Sequence, residues 1–182
     1  QRFFPAGGRP RRDTRVGMRD ADWRPPAWTA AAVAGLAAGA VLMVLDLIWS
    51  ALFHPDGPWR ISHMIAPIVT GSAPPSGTGY GFSVGVVAIA LTTHYVLGVV
   101  FGVVMAVVMT QLRLDTRPDF AVATGAILGM VLYIVNFEVL ASLFFPWLIE
   151  LRGWETLAAH GVFGIVCALL YWKFNRNAVN ES

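Results

Sequence analysis

Charge is scarce in this chain. Only 13% of its 182 residues are Asp, Glu, Lys or Arg, against the ~25% typical of a soluble globular domain. That shortfall excludes an ordinary soluble enzyme. Cysteine is scarcer still. The single one, Cys167, leaves no disulfide framework and no thiolate metal site. G-x-G-x-x-G, the P-loop, H-E-x-x-H and C-x-x-C are all absent, so the nucleotide-binding and metalloprotease chemistries they carry have no footing. One G-x-S-x-G does occur, Gly81-Phe82-Ser83-Val84-Gly85. A nucleophile elbow needs that motif on a sharp strand-to-helix turn; here it opens a long apolar run with no strand before it, and chance accounts for it.

Apolar length is what the chain has instead. It is 56% hydrophobic, with a mean hydropathy of +0.60. The excess sits in four runs, at about 28–53, 82–110, 120–145 and 156–174. Each is near or above the ~20 residues that a helix needs to cross a bilayer. The fold class predicted is therefore an all-α integral membrane protein, a four-transmembrane-helix bundle.

The runs also repeat. Gly35-x3-Gly39 leads through Asp46 to Leu52-Phe53-His54-Pro55, and Gly125-x3-Gly129 leads through Asn136 to Leu143-Phe144-Phe145-Pro146. The returning runs match as well, His94-x3-Gly98 against His160-x3-Gly164. Two tandem hairpins in the same order imply a parallel internal repeat, with a pseudo-twofold axis along the membrane normal. The organisation expected is an Arg/Pro-rich arm over 1–27, a first hairpin over 28–110, a linking loop at 111–119, a second hairpin over 120–174 and a polar tail at 175–182.

Basic residues set the orientation. Eleven of the thirteen fall in the arm, in the 111–119 loop or after the fourth run, and only Arg60 and Arg152 lie in the other loops. Cytoplasmic loops carry this excess, so both termini are expected in the cytoplasm, in a bacterial inner membrane. Arg9, Arg11 and Arg12 in the arm suit anionic lipid headgroups or a neighbouring subunit; nucleic acid is not an expected partner. The chain opens on Gln1, not Met, so its true start is expected upstream, and the basic leader runs straight into a full-length span with no signal-peptide cleavage site.

The loop at 54–81 is the main asymmetry between the halves. Its apolar stretch, Ile61 to Val69, is too short to span and reads as an interfacial or re-entrant segment. The Gly-, Pro- and Ser-rich run that follows reads as irregular. His54, His63 and Asp56 there form a small cluster that reads as solvated interfacial residues.

Small residues four apart occur on all four runs: Gly35/Gly39, Gly98/Gly102, Gly125/Gly129 and Gly164/Ala168. In lipid such faces let helix backbones approach closely. At 100° per residue, Asp46, His94, Asn136 and His160 each project near the glycine face of their own helix. Counting ~1.5 Å per residue puts all four in one layer in the outer third of the membrane. That buried polar layer has three readings: a hydrogen-bonded structural layer, a metal site from Asp46, His94 and His160, or a haem between His94 and His160. The structural layer is the expectation, with no cofactor. Glu138, nine residues after Gly129, projects opposite the glycine face, where it must be protonated, as in a proton relay, snorkel outward, or meet a Lys, Arg or hydrogen-bond donor from a partner subunit.

The function expected is a non-catalytic accessory subunit of a larger inner-membrane complex, respiratory or photosynthetic, its partners being other integral-membrane subunits and the bilayer. The alternatives are a small transporter or ion-translocating unit, and a metal- or haem-binding redox protein built on the His/Asp layer.

Overall fold

A computed structural model describes residues 23–73, 77 and 80–180. The expectations on Arg9, Arg11 and Arg12 lie outside the described residues. In chain order the helices are α1 (Trp28–Phe53), the short α2 (Arg60–Thr70), α3 (Val84–Gln111), α4 (Pro118–Phe144) and α5 (Trp154–Asn180). Short 3-10 turns at Leu114–Thr116 and Pro146–Leu151 join the long helices. Among the described residues there is no strand. Four of the helices, all but α2, are long and apolar enough to cross a membrane.

Local chemistry explains the boundaries. Pro118 opens α4 at its first turn, where the missing N–H has no intrahelical partner to lose, and Asp119 follows where negative charge is favoured. α2 stops at Gly71, whose φ of 66° is left-handed and suits glycine. Ser83 of the G-x-S-x-G is simply the extended residue that precedes α3.

The long helices pair as α1 with α3 and α4 with α5, and α1 against α5 joins the two pairs. Glycine makes each pairing close. A Cβ built on Gly35 would strike the Gly98 carbonyl, and one on Gly98 would lie 2.8 Å from the Gly35 carbonyl oxygen. In the other pair, a Cβ on Gly125 would lie 2.5 Å from the Gly164 carbonyl oxygen, and one on Gly129 would strike the carbonyl of His160. Lipid tails give no hydrophobic drive for association, so this backbone contact is what dispersion can act on. Outward faces carry Val33, Leu36, Ile48, Val100, Ile127 and Val131 exposed, as expected of a bundle solvated by hydrocarbon.

The half of the bundle nearest the described chain ends (the terminal end) is densely filled. Ala31, Ala34 and Ala38 of α1 face Met105, Ala106 and Met109 of α3, with Phe163, Cys167 and Tyr171 of α5 closing the cluster. Polar ties finish it. Tyr171 Oη bonds Thr110 Oγ1 at 2.8 Å and accepts from the Ala27 amide at 3.4 Å. Gln111 Nε2 donates to the Arg24 carbonyl at 2.6 Å, and Asn175 Nδ2 to Asp115 at 3.0 Å.

The opposite, loop end is roofed by α2 and the 146–151 turn. Met64 of α2 is buried against Phe137, Ala141 and Leu148. Trp147 Nε1 donates to the Met64 carbonyl at 3.0 Å. Arg60 lies 3.4 Å from Asp56 and 3.5 Å from Glu150, joining the two loops across the opening. The apolar stretch of the first loop is thus a docked helix, with Ser62, Met64, Ile65, Ala66 and Pro67 on its buried side.

α4 departs from regular geometry. From Ile134 to Leu140 it widens into π turns, although it contains no internal proline. Such insertions in α-helices are frequent at functional sites.

Candidate functional site

Each spanning helix contributes one polar side chain to a common space. Asp46 from α1, His94 from α3, Asn136 from the π segment of α4 and His160 from α5 line one cavity of about 220 Å³. Leu97, Phe101, Phe137 and Leu140 form apolar walls, and Ile61, Ile65, Leu148 and Leu151 form the roof. The four groups that the glycine-face argument assigned to one layer are therefore neighbours around a void.

They are not bonded to one another. Among the described residues Asp46 has neither an ion pair nor a hydrogen bond, and His94 and Asn136 make no side-chain hydrogen bond. The layer was expected to be hydrogen-bonded across the bundle; the cavity stands between its members instead. Only His160 is tied, and to its own helix: Nδ1 lies 2.8 Å from the Thr156 carbonyl oxygen. A carbonyl only accepts, so Nδ1 carries the hydrogen. The ring is 8% exposed and stands edge-on to Phe137, with centroids 5.5 Å apart, and to Tyr133 at 6.0 Å.

Two further spaces adjoin the cavity. Toward the loop end lies a vestibule of about 270 Å³, bordered by Trp49, His54, Arg60, Glu150, Trp154 and Glu155. It shares Asp46, Ile61, Leu151 and Thr156 with the cavity. Trp49 and Trp154 meet edge to face on its wall at 5.2 Å. Toward the terminal end is a recess of about 50 Å³, where His94, Asn136 and His160 meet Gly39, Gly98 and Phe163. The groove between α3 and α4 beyond it, about 170 Å³, has no polar side chain in its lining.

Size and donors limit the chemistry. Ligand pockets usually measure about 300–1,000 Å³, so a space of about 220 Å³ suits waters or a small ion and is too small for a porphyrin. No three His, Cys, Asp or Glu side chains among the described residues, Asp46, His94 and His160 included, are grouped to hold a metal. The loop histidines are engaged locally: His63 Nδ1 donates to the Trp59 carbonyl at 3.0 Å and its ring lies 5.3 Å from Tyr80.

Glu138 has a neighbour within the chain. The sequence offered it a path outward or a partner in another chain, and this chain itself supplies a cation at the loop end. Arg152 NH1 lies 3.4 Å from its carboxylate. The same guanidinium donates from Nε to the Phe137 carbonyl at 2.8 Å, from NH2 to that carbonyl again, and from NH2 to Ser142 Oγ at 2.6 Å. It thereby binds a carbonyl of the π segment next to Asn136. Arg152 and Thr156 were not singled out from sequence. The available signals were that Arg152 is one of two basic residues in the loop-end connections, and that Thr156 stands four residues before His160, one helical turn away.

Set against protein-family models, curated proteins and solved structures, the chain matches none.

Proposed function

We propose that this chain is a small ion- or proton-handling unit of a membrane, and that the Asp46–His94–Asn136–His160 cavity is its binding site. The observation that carries the reading is that all four spans send a polar side chain into one void. Ionisable groups at membrane depth are unfavourable, and where they occur they mark ion or proton pathways. Here three of the four make no hydrogen bond that a purely structural layer would need. Topology follows from the basic residues: a multi-pass protein of a bacterial inner membrane, with both termini cytoplasmic and the vestibule on the outer face. The parallel repeat is supported by the like contacts of Gly35 with Gly98 and of Gly125 with Gly164.

Purified full-length chain in liposomes tests the reading. An imposed proton or monovalent-cation gradient should dissipate faster than in empty vesicles, and Asp46→Asn should abolish the difference. Wild-type vesicles as tight as empty ones would sink it.

A second reading, the accessory subunit of a larger complex, keeps one observation. In their most apolar windows α3 and α4 are only 11% and 17% buried, against 33% for the other two spans, so their faces are free for neighbouring helices. The in-chain pairing of Glu138 takes away one earlier reason for it. Mild-detergent extraction, with co-migrating proteins identified by mass, discriminates: a stoichiometric large complex favours the subunit, and a chain that runs alone removes that reading.

A further inference from the structure

We infer that the ligand of this cavity is the proton, held at Nε2 of His160 and delivered from the loop end past Asp46. The inference rests on the cavity being an ion-handling site.

The imidazole is fixed in one tautomer. Its Nδ1–H is committed to the Thr156 carbonyl at 2.8 Å, so the neutral ring carries its lone pair on Nε2. The ring packs in T-shaped contact with Phe137 and Tyr133. Nε2 makes no hydrogen bond among the described residues. It is also not sealed in: among the described residues the enclosed polar side-chain atoms without a partner are Ser50 Oγ and Trp172 Nε1. An unpartnered acceptor bordering a cavity and its recess is a proton-accepting position.

The recess selects against larger ions. At about 50 Å³ it exceeds the ~10–15 Å³ that a single water needs and has room for a few waters. A hard cation such as magnesium or calcium needs about six to eight oxygen ligands, and the only side-chain oxygen in this recess is that of Asn136. A proton carried on water needs only a lone pair.

Charge and access agree. Sharing the cavity with the ring are Asp46 from α1, His94 from α3 and Asn136 from α4, and Tyr133 and Phe137 pack against it. Farther out, Glu150 and Glu155 border the vestibule, and Arg60 from α2 is occupied by Asp56 and Glu150. In the uptake step the Nε2 lone pair forms an N–H bond as the O–H bond of a hydronium breaks, leaving water in the recess. Nδ1 keeps its hydrogen and its bond to the Thr156 carbonyl. Inward, the polar lining ends at Gly39, Gly98 and Phe163.

The test is ¹⁵N NMR of the full chain, histidine-labelled, in lipid nanodiscs through a neutral-to-acid titration, with His160→Gln and His94→Gln assigning the signals. Expected is a His160 whose Nδ1 stays protonated throughout and whose Nε2 gains a proton reversibly. A neutral His160 with the hydrogen on Nε2, or an Nε2 that never protonates, overturns the inference. Asp46→Leu should slow solvent deuterium exchange at the protonated Nε2 severalfold, and unchanged exchange overturns the route. A titrating Nε2 in a chain that moves no ions through liposomes would sink the ion-handling function and leave the proton site. Flux with a silent Nε2 would sink the proton site alone.

Discussion

Arg152 is the side chain on which most depends at the scale of single residues. Its guanidinium satisfies the Phe137 carbonyl, where the π turns alter the ladder, and adds bonds to Ser142 and Glu138. Leaving a buried acceptor unpaired costs about 1–3 kcal/mol, so Arg152→Met should lower the melting temperature in mild detergent clearly. Glu138→Gln should cost less, about 0–1 kcal/mol, because its side chain is 48% exposed. Equal losses from both would mean that the ion pair, not the carbonyl, is what Arg152 serves. Gly164 makes a different demand. A Cβ there would strike the Gly125 carbonyl, so Gly164→Val forces α4 and α5 apart. Overpacking of this kind typically costs about 1–3 kcal/mol, and a melting temperature equal to wild type would show that the two helices are not held by close approach.

Among the elements, α2 shows what the sequence could and could not say. Its apolar run and its glycine stop were legible, but its docking partners Phe137 and Leu148 lie far along the chain, and nothing local announces them. The long spans were legible by length and hydropathy, and the inward aim of Asp46, His94, Asn136 and His160 by their spacing from glycine. The π segment was not. It has no proline or glycine to signal it, and counting 100° per residue assumes the regular helix that it interrupts. Nor did the sequence announce that Arg152, fourteen residues on, stands beside Glu138. Docking of α2 can be tested through Met64, which is 2% exposed. Met64→Ala should destabilise by about 2–5 kcal/mol and widen the roof of the cavity. Unfolding followed in detergent would register the first effect, and faster deuterium exchange at Nε2 of His160 the second.

The whole molecule invites a sidedness experiment, because its one cysteine is silent. Cys167 is 0% exposed, so an introduced thiol can be read against little background. Thr116→Cys lies in the basic loop at the terminal end and Gly81→Cys before α3 at the loop end. In intact cells an impermeant maleimide should label the second and spare the first; the reverse pattern would invert the orientation drawn from the arginines.

The clasp made by Tyr171 carries a consequence for how the protein is made. Its bond to the Ala27 amide joins residues 144 positions apart, and the same hydroxyl meets Thr110 of the second span. Threading into a bilayer proceeds from the first span to the last. α1 and α3 can close on their glycines as soon as both are inserted, whereas α4 waits for α5. Until α5 arrives, the entry to α1 has no latch, α1 lacks the helix that joins it to the second pair, and His160 has not reached the cavity. A product truncated before the fourth span is therefore left with Asp46, His94 and Asn136 facing a lipid-open cleft, a state that a membrane protease can recognise. α5 both latches the bundle and brings His160 to the proposed site, so neither is complete until α5 has been inserted.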